Sequence, residues 1–267
     1  MKISILGCGW LGLPLAKKMI QKGFLVKGST TSEGKISILK DAGILPFLVT
    51  LNDSKTSEEE FLTESTSQFL KDSQVLIINI PPKLRGNTSE SFVDKMQNLI
   101  PFIEKSSIEK VLFVSSTSVY GDAHSLVTED TIPNPETESG KQLLEVEKLL
   151  QSNPYFKTTI LRFGGLIGVD RHPIKHLAGK ENCENPYIPI NLIHQEDCIG
   201  IIERIIELNS WDEVFNAVSP YHPSREKYYT EKECKSISFA LNQNLQSHVS
   251  TLHQSKTTRF KRNCITK

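Results

Sequence analysis

Apolar residues along this chain follow two rhythms that take turns. Short continuous apolar runs, each the length of a strand, occur at 2–6, Phe24 to Gly28, Ile44 to Val49, Val75 to Ile80, Lys110 to Ser115 and Thr158 to Phe163. Between them lie stretches with a helical period. Trp10 to Lys22 (Leu13, Leu15, Ala16, Met19, Ile20 on one face) is the clearest, followed by Glu33 to Ala42, Glu58 to Lys71, Ser89 to Ile103 and Thr137 to Leu150. Strands that are apolar throughout, rather than at alternate positions, are buried on both faces. Their alternation with amphipathic helices therefore predicts an α/β chain with a parallel sheet covered on both sides. Beyond about residue 164 the rhythm loosens. Prolines 173, 186 and 189 predict long loops and a smaller lobe, while a helix at Glu196 to Leu208 and a strand at Glu213 to Ala217 are expected to return to the main sheet.

The first strand runs straight into G-x-G-x-x-G: Lys2-Ile-Ser-Ile-Leu-Gly-Cys-Gly-Trp-Leu-Gly12. Each glycine answers a separate need. Gly7 permits the tight turn out of the strand, Gly9 lets a pyrophosphate approach the backbone, and Gly12 lets the next helix pack closely on the sheet. The N–H groups around Trp10 and Leu11 then open a helix whose positive end faces the phosphates. The strand before and the helix after supply the context this motif requires. The expectation is a Rossmann-like doubly wound parallel sheet, with residues 1–165 as the dinucleotide-binding domain. Residues 166–267 form a small C-terminal substrate lobe, of which 191–217 return to the main one.

The end of the second strand bears on which dinucleotide is held. An NAD site places a carboxylate there for the ribose 2′-OH. This chain has Gly28-Ser-Thr-Thr-Ser-Glu-Gly-Lys35, with Thr30 at the acid's place, Thr31 and Ser32 beside it and Lys35 a few residues on. Hydroxyls and an ammonium suit a 2′-phosphate, which a carboxylate would repel. NADP is expected, with NAD possible through Glu33. The same hydroxyls could also cap the next helix.

Composition narrows the classes. The chain has 267 residues, with Lys plus Arg at 31 and Asp plus Glu at 31, so no global field attracts nucleic acid or an anionic membrane. No apolar run approaches a membrane span, and the first strand begins at residue 2, so no signal peptide is expected. Five cysteines without a C-x-x-C argue against a disulfide framework or a zinc site. A cytoplasmic protein, monomeric or homodimeric, acting on an unidentified small molecule is expected.

Val111-Leu-Phe-Val-Ser-Ser-Thr-Ser-Val-Tyr-Gly-Asp122 resembles the V-S-S-x-x-V-Y-G segment of the extended short-chain dehydrogenase/reductases, the family of nucleotide-sugar epimerases and dehydratases. The resemblance continues in order. Leu161-Arg-Phe-Gly-Gly-Leu-Ile-Gly168 looks like the strand end flanking the nicotinamide, Asn191 to Asp197 like F-I-H-V-x-D, and Val214-Phe-Asn-Ala217 like V-x-N-x. It spans residues 1 to about 230; the C-terminal forty residues carry no motif. The resemblance implies hydride transfer, with Ile80, Pro81 and Pro82, Ser115, Lys141, Phe163 and Gly164 also around the cofactor. Ser116 matches the serine that holds the substrate oxygen.

The resemblance breaks at the catalytic tyrosine. The family's Tyr-x-x-x-Lys reads Thr137-Glu-Ser-Gly-Lys141 here, and a threonine hydroxyl is far too weak an acid to replace phenol. The glycine motif also lacks the first glycine of the extended pattern, Leu6 standing there. The chain therefore resembles an atypical member, with catalytic candidates Ser116, Lys141, Tyr120 and Thr137. It is read as an epimerase/dehydratase-like oxidoreductase or, alternatively, as a non-catalytic NADP-binding sensor. Other candidates have plainer readings beside the functional ones. His194 with Asp197 is a proton relay or a structural turn, and His172 with His176 is a metal pair or part of a loop, with no metal expected. Arg171 is an anion contact or a solvated side chain.

Overall fold

In the computed structural model, residues 1–52, 59–82, 91–121, 126–174, 186–236 and 265–266 are described. Seven parallel strands form the central sheet. In chain order they are β1 (Lys2–Leu6), β2 (Leu25–Thr30), β3 (Leu45–Leu48), β4 (Val75–Ile78), β5 (Lys110–Ser116), β7 (Lys157–Phe163) and β10 (Val214–Ala217). They lie side by side as β3-β2-β1-β4-β5-β7-β10, so the order reverses between β1 and β4. That reversal leaves a crevice at the carboxyl ends of β1 and β4, the place where open sheets of this kind take ligands. The doubly wound α/β architecture read from the hydrophobic pattern is the one observed.

Two cores explain why the strands are apolar throughout. Leu76 and Ile78 of β4, with Val111 and Phe113 of β5, pack on one face against α3 (Glu59–Leu70), α4 (Phe92–Glu104) and α5 (Glu138–Gln151). The alternate residues Val75, Ile77 and Leu112, with Ile3 and Ile5 of β1, face the other way. They meet α1 (Gly12–Gln21), α2 (Ile36–Asp41) and α6 (Gln195–Glu207). The period of two along each strand is thus present but masked, since both faces are covered.

The elements differ from the expected ones mainly at their ends. The helix expected from Glu33 to Ala42 begins as a 3₁₀ turn, Glu33–Lys35, with Gly34 inside it, and only Ile36–Asp41 is α-helical. Strand β2 continues two residues further than expected, because Ser29 and Thr30 are buried against the first loop. Strand β4 stops at Ile78, where the Asn79 side chain turns to the Gly7 carbonyl. Beyond the sheet, β8 (Gly165–Ile167) pairs in parallel with β9 (Leu192–His194), and β6 (Leu126–Val127) pairs antiparallel with β11 (Ile265–Thr266). Helix α7 (Arg225–Ser236) follows β10.

One buried polar network fastens β5, α5, β7 and β10 at their carboxyl side. Arg162, on β7, and Glu147, on α5, are 5% and 1% exposed. Arg162 Nη2 donates to Glu147 Oε2 at 2.6 Å, and Nε reaches both carboxylate oxygens at 3.1 and 3.2 Å. Ser115 Oγ donates to Glu147 Oε1 at 2.5 Å. Arg162 Nη1 donates to the Tyr120 hydroxyl at 2.6 Å, which donates in turn to Asn216 Oδ1 at 3.0 Å. Burial pushes the Tyr120 phenol above its ordinary range, so it stays protonated.

Removing one partner of a buried, hydrogen-bonded pair leaves the other charge uncompensated, which costs about 3–5 kcal/mol. Glu147→Ala is therefore expected to lower stability by about that amount in urea unfolding, and Glu147→Gln, which keeps one acceptor, by less. A loss under 1 kcal/mol for the alanine variant would show that the pair does not hold these elements together.

Candidate functional site

The crevice is built from the three glycines upward. Gly7 has φ +98, a left-handed conformation that glycine adopts without cost, and a Cβ there would stand 2.6 Å from the Asn79 carbonyl oxygen. Its N–H donates to Ser29 Oγ at 2.9 Å, and its carbonyl accepts from Asn79 Nδ2 at 3.1 Å. The turn is thereby pinned between the ends of β2 and β4. A Cβ on Gly12 would collide with the Gly7 carbonyl oxygen, which is why α1 can start so close to the strand. Gly9 is different: a Cβ built on it meets nothing within 4 Å. Among the described residues, then, the protein's own packing makes no demand for glycine at that position.

The electrostatics of the cradle suit an anion. Helix α1 has no acidic residue in its first turn, so its free N–H groups and positive end are not neutralised. Leu11 is buried, which leaves only its backbone for a ligand, while Trp10 is half-buried. At the end of β2, Thr30 is 8% exposed and its Oγ1 accepts from the Ser32 N–H at 3.1 Å. Thr31, Ser32, Glu33 and Lys35 are exposed around it. Ile80 lies against Gly7, with Pro81 exposed and Pro82 half-buried as the wall of β4.

Across the crevice the paired serines diverge, as neighbours on a strand must. The Ser115 hydroxyl turns inward to Glu147. Ser116 is half-buried and its Oγ accepts from the Ser118 N–H at 3.2 Å, capping the 3₁₀ turn Thr117–Tyr120. Among the described residues, nothing takes the Ser116 hydroxyl proton. Tyr120 is only 3% exposed, with its hydroxyl held between Arg162 and Asn216.

Helix α5 brings its other candidates to a different place. Thr137 is the helix N-cap, its Oγ1 accepting from the Gly140 N–H at 3.1 Å. Gly140 touches the turn after β5, where a Cβ would come 2.6 Å from the Ser118 carbonyl, and Glu147 continues that face toward Ser115. Lys141 is one residue further round, roughly 100° away at 3.6 residues per turn. It is exposed and makes no ion pair or side-chain hydrogen bond among the described residues. Ser116 thus ends β5, two strands along the sheet from the glycine turn of β1, while Thr137 caps α5 and Lys141 stands exposed one turn into that helix. Phe163 puts its ring into the core, and Gly164 allows the chain to pass under the Asn191 carbonyl and Val218.

The remaining candidates fall as follows. His194 caps α6 through Nδ1, which accepts from the Glu196 N–H at 3.3 Å. His172 Nε2 lies 2.8 Å from the Tyr228 hydroxyl, while His176 is outside the described residues. No cluster that could hold a metal ion occurs among the described residues, and no helix there is long and apolar enough to cross a membrane. Burial pushes the Cys8 thiol up to about 12, so it is not a ready nucleophile. Sequence reading missed Asn79, Asp170, Gln195 and Glu147. A glutamate amid the apolar positions Leu143, Val146 and Leu150 of α5 was the available signal for the last.

With the glycine turn at a strand-order reversal, the fold is a Rossmann-like one similar to that of solved proteins of the short-chain dehydrogenase/reductase superfamily. A superfamily protein from Agrobacterium tumefaciens with bound NAD aligns with TM-score 0.69 at 14% identity, covering 86% of this chain and 81% of that one. UDP-glucuronic acid 4-epimerase from Bacillus cereus, in complex with NAD, aligns with TM-score 0.70 at 21% identity, covering 88% and 83%. No protein-family model matches the chain. The chain belongs to the same family as Protein YeeZ of Escherichia coli K12, with 34% identity over 230 residues, 86% of this chain and 82% of that protein.

The glycines differ in what they serve, and this can be measured. Gly12→Ala is expected to destabilise the fold by several kcal/mol or prevent its accumulation, because its Cβ meets backbone that cannot move freely. Gly9→Ala is expected to unfold within about 1 kcal/mol of the parent in urea. Equal losses for both would show that Gly9 also serves packing.

Proposed function

We propose that this protein binds NADP in the glycine cradle and transfers hydride to or from an unidentified small molecule, in the manner of an epimerase/dehydratase-like oxidoreductase. The observation that carries the reading is that, among the described residues, nothing fills the space a Gly9 Cβ would take, at the start of a helix with no acid in its first turn. The NAD-bound relatives in fold support a nicotinamide cofactor. Hydroxyls in place of a carboxylate at the end of β2, with Lys35 nearby, support the phosphorylated form.

In this reading the backbone of Gly9 to Gly12, including Trp10 and Leu11, holds the pyrophosphate, and Thr30 to Ser32 hold the adenosine ribose. Ile80, Pro81 and Pro82 form a wall, and the chain at Ser115, Phe163 and Gly164 borders the nicotinamide. When bound, the nicotinamide supplies or accepts the hydride. Ser116 donates a hydrogen bond to the substrate oxygen and holds it as charge develops there. Because the Tyr120 phenol is buried and kept protonated by desolvation, water rather than Tyr120 moves the substrate proton at the crevice.

The use of the Thr137 hydroxyl as a helix cap, where the family resemblance would put a catalytic tyrosine, favours a second reading, an NADP-binding sensor without turnover. A structure with NADPH soaked in separates the two. The enzyme reading expects a donor within ~3.2 Å of the point beside the nicotinamide C4 that a substrate oxygen must occupy. An apolar wall there leaves the sensor. Fluorescence titration is expected to show NADPH bound more tightly than NADH, and Gly9→Val bound to neither. Normal binding by that variant would overturn the site. If turnover is found, Ser116→Ala is expected to lower it by roughly 10²–10³-fold, as loss of one oxyanion donor does.

A further inference from the structure

Trp10 sits in the middle of the glycine cradle, yet its contacts come from the loop after β8. Trp10 Nε1 donates to Asp170 Oδ1 at 2.7 Å, and the Arg171 guanidinium carbon lies 5.1 Å from the centre of its ring. A Cβ on Gly168 would come 2.7 Å from Trp10 Cζ2, so the loop rests against the edge of the indole. The loop is itself a closed turn, with the Gly168 N–H donating to the Arg171 carbonyl at 2.8 Å and the Arg171 N–H to the Gly168 carbonyl at 3.2 Å. At the base, Gln195 Nε2 donates to the Trp10 carbonyl at 2.7 Å.

Arg171 is exposed and, among the described residues, makes no ion pair. Its cation is parked on the face of Trp10, two residues before α1, whose first turn has no acid; the Asp170 carboxylate sits at the edge of the same ring, on Nε1. One carboxylate balances only part of the positive potential of a guanidinium and a helix end, and the remainder favours a further anion. The indole face offsets this only weakly at an exposed site. A guanidinium is the side chain best shaped to hold two phosphate oxygens at once, and its long stem lets it swing off the ring without moving the turn that carries it.

We infer that Arg171 is a ligand of the dinucleotide pyrophosphate, held in waiting on Trp10 and delivered from the loop after β8. This rests on the proposed dinucleotide site. It adds that the pyrophosphate is gripped from above by Arg171 as well as from below by the α1 N–H groups. Trp10 then reports the event, because the guanidinium leaves its ring when the phosphates arrive.

The chain has two tryptophans, and Trp211 is distant in the fold, on the segment entering β10 with its Nε1 bonded to Asn209. A Trp211→Phe parent therefore leaves Trp10 as the single indole. Titrated with NADPH, this parent is expected to show a saturable change in Trp10 emission. Arg171→Ala is expected to bind NADPH about tenfold or more weakly, with Arg171→Lys between the two. Binding of 2′-AMP, which has no pyrophosphate, is expected to be the same in all three. Unchanged NADPH affinity in Arg171→Ala overturns the inference while leaving the cradle standing. Equal weakening toward 2′-AMP and NADPH also overturns it, since the effect would not then pass through the pyrophosphate. If the parent binds neither dinucleotide nor 2′-AMP, the underlying site fails together with it.

Discussion

The ion pair between Glu147 and Arg162 is the constraint on which the packing of α5 against β5, β7 and β10 depends. Two charges removed from water must satisfy each other and all their remaining lone pairs and protons, and here they do so through Ser115 and Tyr120. That requirement fixes α5 against β5 and β7, and sets the turn after β5 at a definite height above the sheet. It also divides the hydroxyls. Ser115 and Tyr120 donate within the buried network, whereas among the described residues nothing takes the Ser116 hydroxyl proton.

A second constraint acts at the turn after β1 and works through absence of atoms. Gly7 and Gly12 must lack side chains because the chain's own carbonyls stand where a Cβ would be, whereas the protein leaves the space over Gly9 open. Trp10, between them, joins this loop to the one after β8. The glycine turn and the loop after β8 are thus in direct contact.

The sheet, its parallel sense and its covering helices were legible because burial on both faces leaves a plain trace: unbroken apolar strands separated by amphipathic stretches. Strand β1 and helix α1 were legible together with the cradle for the same reason, since three glycines at that spacing have few other uses. The ends of elements were less so. Strand β2 runs on through Ser29 and Thr30 because the Gly7 N–H is there to bond Ser29, a partner that lies elsewhere in the sequence.

The register of α5 shows where sequence stops. Counting along the chain puts Lys141 at the place of the family's lysine and Thr137 at that of its tyrosine. Spacing alone does not say which way a helix is turned about its axis. The rotation was decided by Gly140, which packs on the Ser118 carbonyl, and by Glu147, which must reach Arg162; these leave Lys141 exposed. By itself, then, the sequence determined the class of fold and the glycine turn, both local patterns of burial and spacing. Only the tertiary structure decided which hydroxyls are spent, which way α5 faces and that Arg171 lies over Trp10. Those outcomes turn on contacts between residues far apart in the chain, for which no local pattern exists.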